Sequence, residues 1–391
     1  MQPSRTIISL VLADCAQSVS VERTIWEIAT RLPPARFAAR VWLPSDPAKD
    51  PFASVLEERG IPVDRMPAPG SSWGWRGMLG AWMRLRRAQP RLLHVHHEWP
   101  SSDGVSGALT EVAGVRHRVV SAHGSRDPRG MARASRRSLE RADAVTTTCR
   151  AFAEQLVRES GVERSRIRHV PAGTDIFDED AERPAARGIR DRFGAVILRP
   201  LWLCAGRLET HKGTAVFLEA LGLVRERGLP FVGAVVGAGP LRESLQRRAE
   251  ELELATSVHF AEPDDDLGPM LLAADAVVVP SLWDGLPAVL LQALMRARPV
   301  IASAVGGAPD VIHDGAGGRL VPPGDAGAIA EALESFHRRP ETAQRLGREG
   351  ARRAREELTW ARVVQDYETV YDEVLGLASF APEDAIVRDR W

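Results

Sequence analysis

Short apolar runs alternate with amphipathic helical patterns along the whole 391-residue chain, and this alternation constrains the fold more than any other feature. Leu201, Trp202, Leu203 and Cys204 form one such run, and Ala276, Val277, Val278 and Val279 form another. Both are apolar at consecutive positions, as strands buried on both faces of a parallel sheet are. Between the runs, apolar residues fall at helical spacing, as in Val216, Phe217, Ala220, Leu221 and Val224. Parallel strands need crossover connections, and these helical segments supply them. In the first half the pattern predicts strands near 6–13, 37–43, 92–96, 117–122, 143–148 and 166–170, with helices near 21–32, 75–89, 103–113, 130–141 and 149–160. The polar stretch 178–184 breaks the alternation and reads as a linker. Strands are then expected near 200–205, 231–236, 257–260, 276–279, 299–302 and 318–321. Helices are expected at 213–227, 239–253, 267–274, 287–297, 326–337, and in two pieces over 340–375. The chain is therefore expected to be α/β, with a Rossmann-like domain over 1–185, a second over 186–375 and a tail over 376–391. The last helix is expected to pack back on the first domain.

Composition sets the class. Hydrophobic residues make up 44% of the chain, enough for two cores at this length. Cys15, Cys149 and Cys204 are far apart and outside metal-ligand spacing, so the chain reads as reduced and cytoplasmic. The apolar run over 7–13 is too short for a signal segment or a bilayer span, and any membrane contact is expected to be peripheral. A net charge of −1 hides an asymmetry: residues 1–190 carry 29 Lys+Arg against 22 Asp+Glu, and the remainder carries 22 against 30. A basic half and an acidic half suit different partners.

The loop 206–213 holds two cations, Arg207 and Lys212, between an apolar strand and a helix. At that place in an α/β sheet, free backbone N–H groups and the helix dipole favour an anion. Only two of the chain's 51 Lys+Arg are lysines, Lys49 and Lys212, so this composition rarely supplies one. Gly237-Ala238-Gly239-Pro240 also joins a strand to a helix. It is not a dinucleotide fingerprint, because Arg242 stands at the third glycine position. A tight turn and a close approach to ligand both remain open there. Asp284-Gly285-Leu286-Pro287 follows another buried strand, with Pro287 suited to the first helical position and Gln292 eight residues after Asp284. Taken singly, Asp284 reads as an N-cap and Gln292 as a surface amide.

In this order, Gly-Arg-x4-Lys-Gly, Gly-x-Gly-Pro-x4-Leu, Ala-Asp-Ala-x3-Pro-Ser, Asp-Gly-Leu-Pro-Ala-x3-Gln-Ala and the stretch 299–307 resemble the retaining family-4 glycosyltransferases with the GT-B fold. Val21-Glu22-Arg23, His94-Val95-His96, Ser121-Ala122-His123-Gly124 and Pro171-Ala172-Gly173-Thr174-Asp175 extend the resemblance through the first half. The resemblance implies two Rossmann-like domains with parallel sheets facing across a cleft. It further implies transfer of a sugar from a nucleotide-diphosphate donor to a glycan or lipid-linked acceptor in envelope or exopolysaccharide synthesis. Arg207 and Lys212 would hold the diphosphate and neutralise the charge that develops on it. His123 would contact the transferring sugar, Asp284 the sugar hydroxyls and Gln292 the ribose, with Gly237, Gly239, Gly285 and Leu286 lining the donor site. No cofactor, no metal and no nucleic-acid partner is implied. Three positions depart from the family pattern. Its Glu-x7-Glu pair is Asp284 and Gln292, its Gly-Gly loop is Val19-Ser20, and its Phe-x-Gly segment is Phe260-Ala261-Glu262. The first two changes would suit a non-catalytic binding or scaffolding subunit, whereas intact Arg207, Lys212 and His123 suit an enzyme. A nucleotide-sugar hydrolase or epimerase would keep stronger carboxylates in the pocket.

Three further signals point to structure. His94 and His96 share one strand face while His97 points away, so with Glu98 they read as structural rather than metal-binding. Asp264, Asp265 and Asp266 read as helix-start charges. Trp73, Trp75, Met78, Leu79, Trp82 and Leu85 alternate with Arg76, Arg84, Arg86 and Arg87. Packing of the apolar face on the sheet is the simpler reading, and peripheral contact with anionic lipid is the other.

Overall fold

The computed structural model describes residues 5–12, 19–66, 75–98, 114–124, 133–262, 267–313 and 315–377. The chain forms two compact units, one of Met1–Ala172 with Trp360–Trp391 and the other of Gly173–Thr359. Cys15, Trp73, the helix expected over 103–113, the acidic run 264–266 and the end of the tail lie outside the described residues.

The first unit is built on β1 (Thr6–Leu12), β2 (Phe37–Pro44), β3 (Val63–Met66), β4 (Leu92–Glu98), β5 (His117–His123), β6 (Ala144–Thr147) and β7 (Ile167–His169). They form one sheet in the order β3-β2-β1-β4-β5-β6-β7, with every pairing parallel. Side chains alternate along β1. Ile8, Leu10 and Leu12 enter one core with Val21, Ile25 and Ile28, and Val11 enters the other with Trp42 and Val95. Trp360, Val364, Tyr367, Val370 and Tyr371 of the helix Trp360–Leu375 complete the first of these cores, which places that helix in this unit. β3 and the helix Asp50–Glu58 escaped the sequence reading. β3 is a four-residue edge strand carrying Asp64 and Arg65, so it lacks an apolar run.

The second unit contains β8 (Leu201–Ala205), β9 (Val232–Val236), β10 (Val258–Ala261), β11 (Ala276–Val279), β12 (Val300–Ser303) and β13 (Gly318–Val321). Their order is β10-β9-β8-β11-β12-β13, again all parallel. Trp202, Cys204, Val235, Val278 and Ile301 pack with Phe217, Leu221 and Leu333 in its core. The stretch read as a linker is instead the start of a helix, Glu179–Phe193. The Asp178 side chain accepts from the N–H groups of Asp180 and Ala181, and Glu179, Asp180 and Glu182 meet the positive end of the helix dipole. Pro184 sits inside the helix, and its breaker signal had masked those capping charges.

In both sheets the strand order reverses once, between β1 and β4 and between β8 and β11. Ligands of open α/β sheets bind beyond the carboxyl ends of the strands at such a switch point.

Candidate active site

The two cations of the loop 206–213 stand at the switch point of the second unit, immediately after β8, and Asp284 follows the neighbouring β11. Lys212 ends the short turn Thr210–Lys212, and Gly213 adopts φ 68° before the helix Thr214–Glu226 begins. A Cβ at Gly213 would meet the Pro280 carbonyl oxygen at 1.9 Å, so only glycine lets this turn lie against the end of β11. Leu282 N–H donates to His211 O at 2.8 Å and ties the same two segments together. Lys212 Nζ thereby lies 2.6 Å from Asp284 Oδ2. Ser281 Oγ donates to the same oxygen at 3.2 Å, and Gly285 N–H donates to Oδ1 at 2.9 Å. Asp284 is therefore no N-cap. The helix spans Ala288–Met295 with Pro287 as its N-cap, so it starts one residue later than expected.

Arg207 is the exposed member of the site, paired with Glu209 at 2.8 Å. Glu209 also lies 3.3 Å from His211 Nδ1, and His211 stacks on Trp283 with ring centroids 4.2 Å apart. Burial and then the neighbouring Lys212 lower the pKa of His211. Glu209, His211, Ser281 and Trp283 were not singled out in the sequence, although each lies within four residues of a residue that was. Below them Cys204 is buried against Thr214, and burial pushes its thiol up to about 12, so it is inert.

Gly237 and Gly239 face the loop that carries the cations. A Cβ at Gly237 would meet Gly206 O at 1.9 Å, and one at Gly239 would meet Leu208 O at 2.6 Å. Leu208 N–H donates to Ala238 O at 2.8 Å, and Leu241 N–H to Leu208 O at 3.1 Å. This contact alone accounts for glycine at both positions. Arg242, at the position where a dinucleotide fingerprint would have glycine, donates to Gly237 O at 2.9 Å and pairs with Glu262 at 3.2 Å. Gly285 O accepts from Gly307 N–H at 2.6 Å, and a Cβ at Gly306 would meet Asp284 O at 1.9 Å. Leu286 and Gln292 are half-buried.

His123 ends β5 of the first unit and is buried, 3.1 Å through Nε2 from His96 Nδ1. Burial first, and then His97, lower its pKa to about 4, so it is a neutral imidazole at neutral pH. Among the described residues no group of His, Cys, Asp and Glu side chains could hold a metal ion.

The family described as Glycosyl transferases group 1 matches residues 190–353, and Glycosyltransferase Family 4 matches residues 21–176. The GDP-mannose-dependent alpha-(1-6)-phosphatidylinositol monomannoside mannosyltransferase of Mycolicibacterium smegmatis is 32% identical over 268 residues, 65% of this chain and 69% of that protein. The alpha-D-kanosaminyltransferase of Streptomyces kanamyceticus is 27% identical over 333 residues, 76% of this chain and 83% of that protein. Among solved structures, Anabaena HepE in complex with UDP superposes with a TM-score of 0.77 at 18% identity, covering 94% of this chain and all (100%) of that one. A glycosyltransferase from Rickettsia africae gives a TM-score of 0.79 at 15% identity, covering 96% of this chain and 100% of that one.

Proposed function

The chain belongs to the family-4 glycosyltransferases, and on that premise we propose that it moves a sugar from a nucleotide diphosphate to a glycan or lipid-linked acceptor, with retention and without a metal ion. The observation that carries the reading is the Lys212–Asp284 pair at the β8/β11 switch point, with Arg207 in the same loop. Arg207 and Lys212 would take the diphosphate as Glu209 and Asp284 release them. Two preorganised cations at a strand end then neutralise the charge that develops as the bond from the anomeric carbon to phosphate breaks, usually the largest contribution in such a site. Asp284 would turn to the sugar hydroxyls, Gln292 to the ribose and His123 to the transferring sugar, while Gly237, Gly239, Gly285 and Leu286 shape the donor pocket. With Asp284 turned to the sugar hydroxyls, the departing phosphate oxygen would be the base at hand for the acceptor proton. Proton and new bond then lie on the face the diphosphate leaves, which is retention.

The name of the Mycolicibacterium smegmatis relative carries GDP-mannose and phosphatidylinositol monomannoside, and Anabaena HepE is solved in complex with UDP. Both UDP- and GDP-sugars are therefore tested, with and without a phosphoinositol or glycan acceptor, for release of nucleoside diphosphate. Acceptor-dependent release that persists in chelator supports the reading. Strict dependence on a divalent cation, or no release from any donor, overturns it.

A further inference from the structure

Four histidines lie buried at the carboxyl end of the first unit's sheet: His94, His96 and His97 on β4 and His123 on β5. Their contacts form an ordered chain. His94 is held at both nitrogens, with Nδ1 2.7 Å from Tyr371 Oη and Nε2 2.7 Å from Ser121 Oγ, which itself lies 2.5 Å from Thr146 Oγ1. The His94 ring packs against His96 with centroids 4.0 Å apart, so His96 has a fixed neighbour on that side. His96 in turn lies nearly parallel to His123, at an interplanar angle of 17°, and its Nδ1 is 3.1 Å from His123 Nε2. Burial lowers the pKa of all three rings, His94 and His96 well below 6.5 and His123 to about 4.

Two neutral imidazoles that share one hydrogen bond must divide the roles, one nitrogen donating and the other accepting. The other nitrogen of His96, Nε2, is buried with no hydrogen-bond partner among the described residues. If His123 Nε2–H were the donor, His96 would carry its own proton on Nε2, leaving a buried N–H without an acceptor. If His96 Nδ1–H is the donor, only a bare lone pair is left unpaired at Nε2. Orphaned buried N–H groups are rarer than under-satisfied acceptors, which selects the second arrangement. His123 then accepts at Nε2 and carries its proton on Nδ1.

We propose that His96 is a positioning residue that fixes His123 as the Nδ1–H tautomer, so that Nδ1 presents a donor to a hydroxyl oxygen of the transferring sugar. The catalytic consequence rests on the reading of His123 as the sugar contact, whereas the tautomer is a property of the free protein. A ring whose second nitrogen is held by a buried partner is fixed in tautomer and orientation together.

The tautomer is read in the full-length free protein by long-range proton–nitrogen correlation on selectively labelled histidine. The expected result is a protonated Nδ1 and a bare Nε2 on His123, with the reverse on a substantial fraction of molecules in His96→Leu. His96→Asn, whose amide N–H reaches the position of Nδ1, is expected to restore the wild-type pattern. In turnover, His96→Leu is expected to lower kcat roughly tenfold or more while donor KM stays within about twofold, and His96→Asn to recover most of the loss. A wild-type His123 protonated on Nε2 overturns the proposal, and that measurement stands even if His96→Leu fails to fold. Equal turnover in wild type and His96→Leu also overturns it. Unchanged turnover in His123→Ala would remove the sugar contact itself, and is distinguished because the tautomer spectrum is unaffected by it.

Discussion

Replacing Asp284 by asparagine is expected to tighten the binding of a free nucleoside diphosphate about tenfold while slowing turnover. Asp284 Oδ2 lies 2.6 Å from Lys212 Nζ, so a phosphate that reaches the ammonium must approach the carboxylate within a few ångströms. At an effective dielectric of about 20, unit like charges about 5 Å apart repel by roughly 3 kcal/mol. The two side chains are 23% and 15% exposed, so water and salt reach the pair and the gross figure is discounted by about half. About 1.4 kcal/mol remains, a factor of ten in Kd. Asparagine keeps an oxygen for the Gly285 N–H, now 2.9 Å from Oδ1, so the loop is expected to hold its shape. Turnover moves the other way because the variant loses its charged partner for the sugar hydroxyls. Titration calorimetry with UDP and GDP at low and high salt measures the gain, which should shrink as salt rises. Unchanged or weaker binding of both nucleotides would show that Lys212 does not anchor the diphosphate.

Gln292→Glu is expected to tighten nucleotide binding several-fold, since a carboxylate accepts stronger hydrogen bonds from two ribose hydroxyls than an amide does. The same calorimetry measures it, and an unaltered Kd would remove Gln292 from the ribose. The first unit is expected to bind anionic vesicles weakly at low salt and release them at high salt. Leu79 and Met83 are exposed on the helix Trp75–Ala88, and Arg86 lies over the Trp82 ring of the same helix. Flotation that fails even at low salt would leave that helix a packing element. Stability is expected to fall as pH drops from 6.5 towards 4. His94, His96 and His123 have folded-state pKa values below the ordinary 6.5, so the unfolded chain binds protons there that the native protein does not. Each contributes a loss of up to about 1.4 kcal/mol per pH unit within that window. A melting temperature that stays flat from pH 7 to pH 5 would show that the three rings take up protons while folded.

The alternation of strand-like and helical segments was enough to read the six strands of the second sheet and six of the seven in the first, most directly in the second, where strands such as β11 and β12, buried along their length, leave an unbroken hydrophobic signal. β3 carries Asp64 and Arg65 at a sheet edge, so it emits no such signal. Arg207 and Lys212 were legible as site candidates because two cations stand between a buried strand and a helix N-terminus, whereas Asp284 became one only through the family resemblance. Their mutual arrangement was not legible. That Lys212 meets Asp284 depends on a contact between segments 72 residues apart, made possible by the close seating of Gly213 on Pro280. The His96–His123 contact escaped for a similar reason: it joins neighbouring strands two residues off their register, in which His96 pairs with Ser121, and local spacing does not encode this.

The glycines around the site explain how the charges are held before any donor arrives. Gly213, Gly237 and Gly306 each let one loop lie directly on the backbone of another, against Pro280, Gly206 and Asp284 respectively. The backbone that carries Lys212 and Asp284 is thereby set by main-chain packing, so only their side chains would move when a donor opens the pair. Arg207 is different. Its side chain is 64% exposed and its bond to Glu209 is a surface ion pair, worth at most about 1 kcal/mol. Exchanging Glu209 for a phosphate would therefore cost little, so on the proposed reading Arg207 would close on the diphosphate more readily than the less exposed Lys212. On the proposed reading the site would pair a half-buried cation with an exposed one, and the exposed Arg207 would be the better suited to follow charge as it moves onto the leaving phosphate.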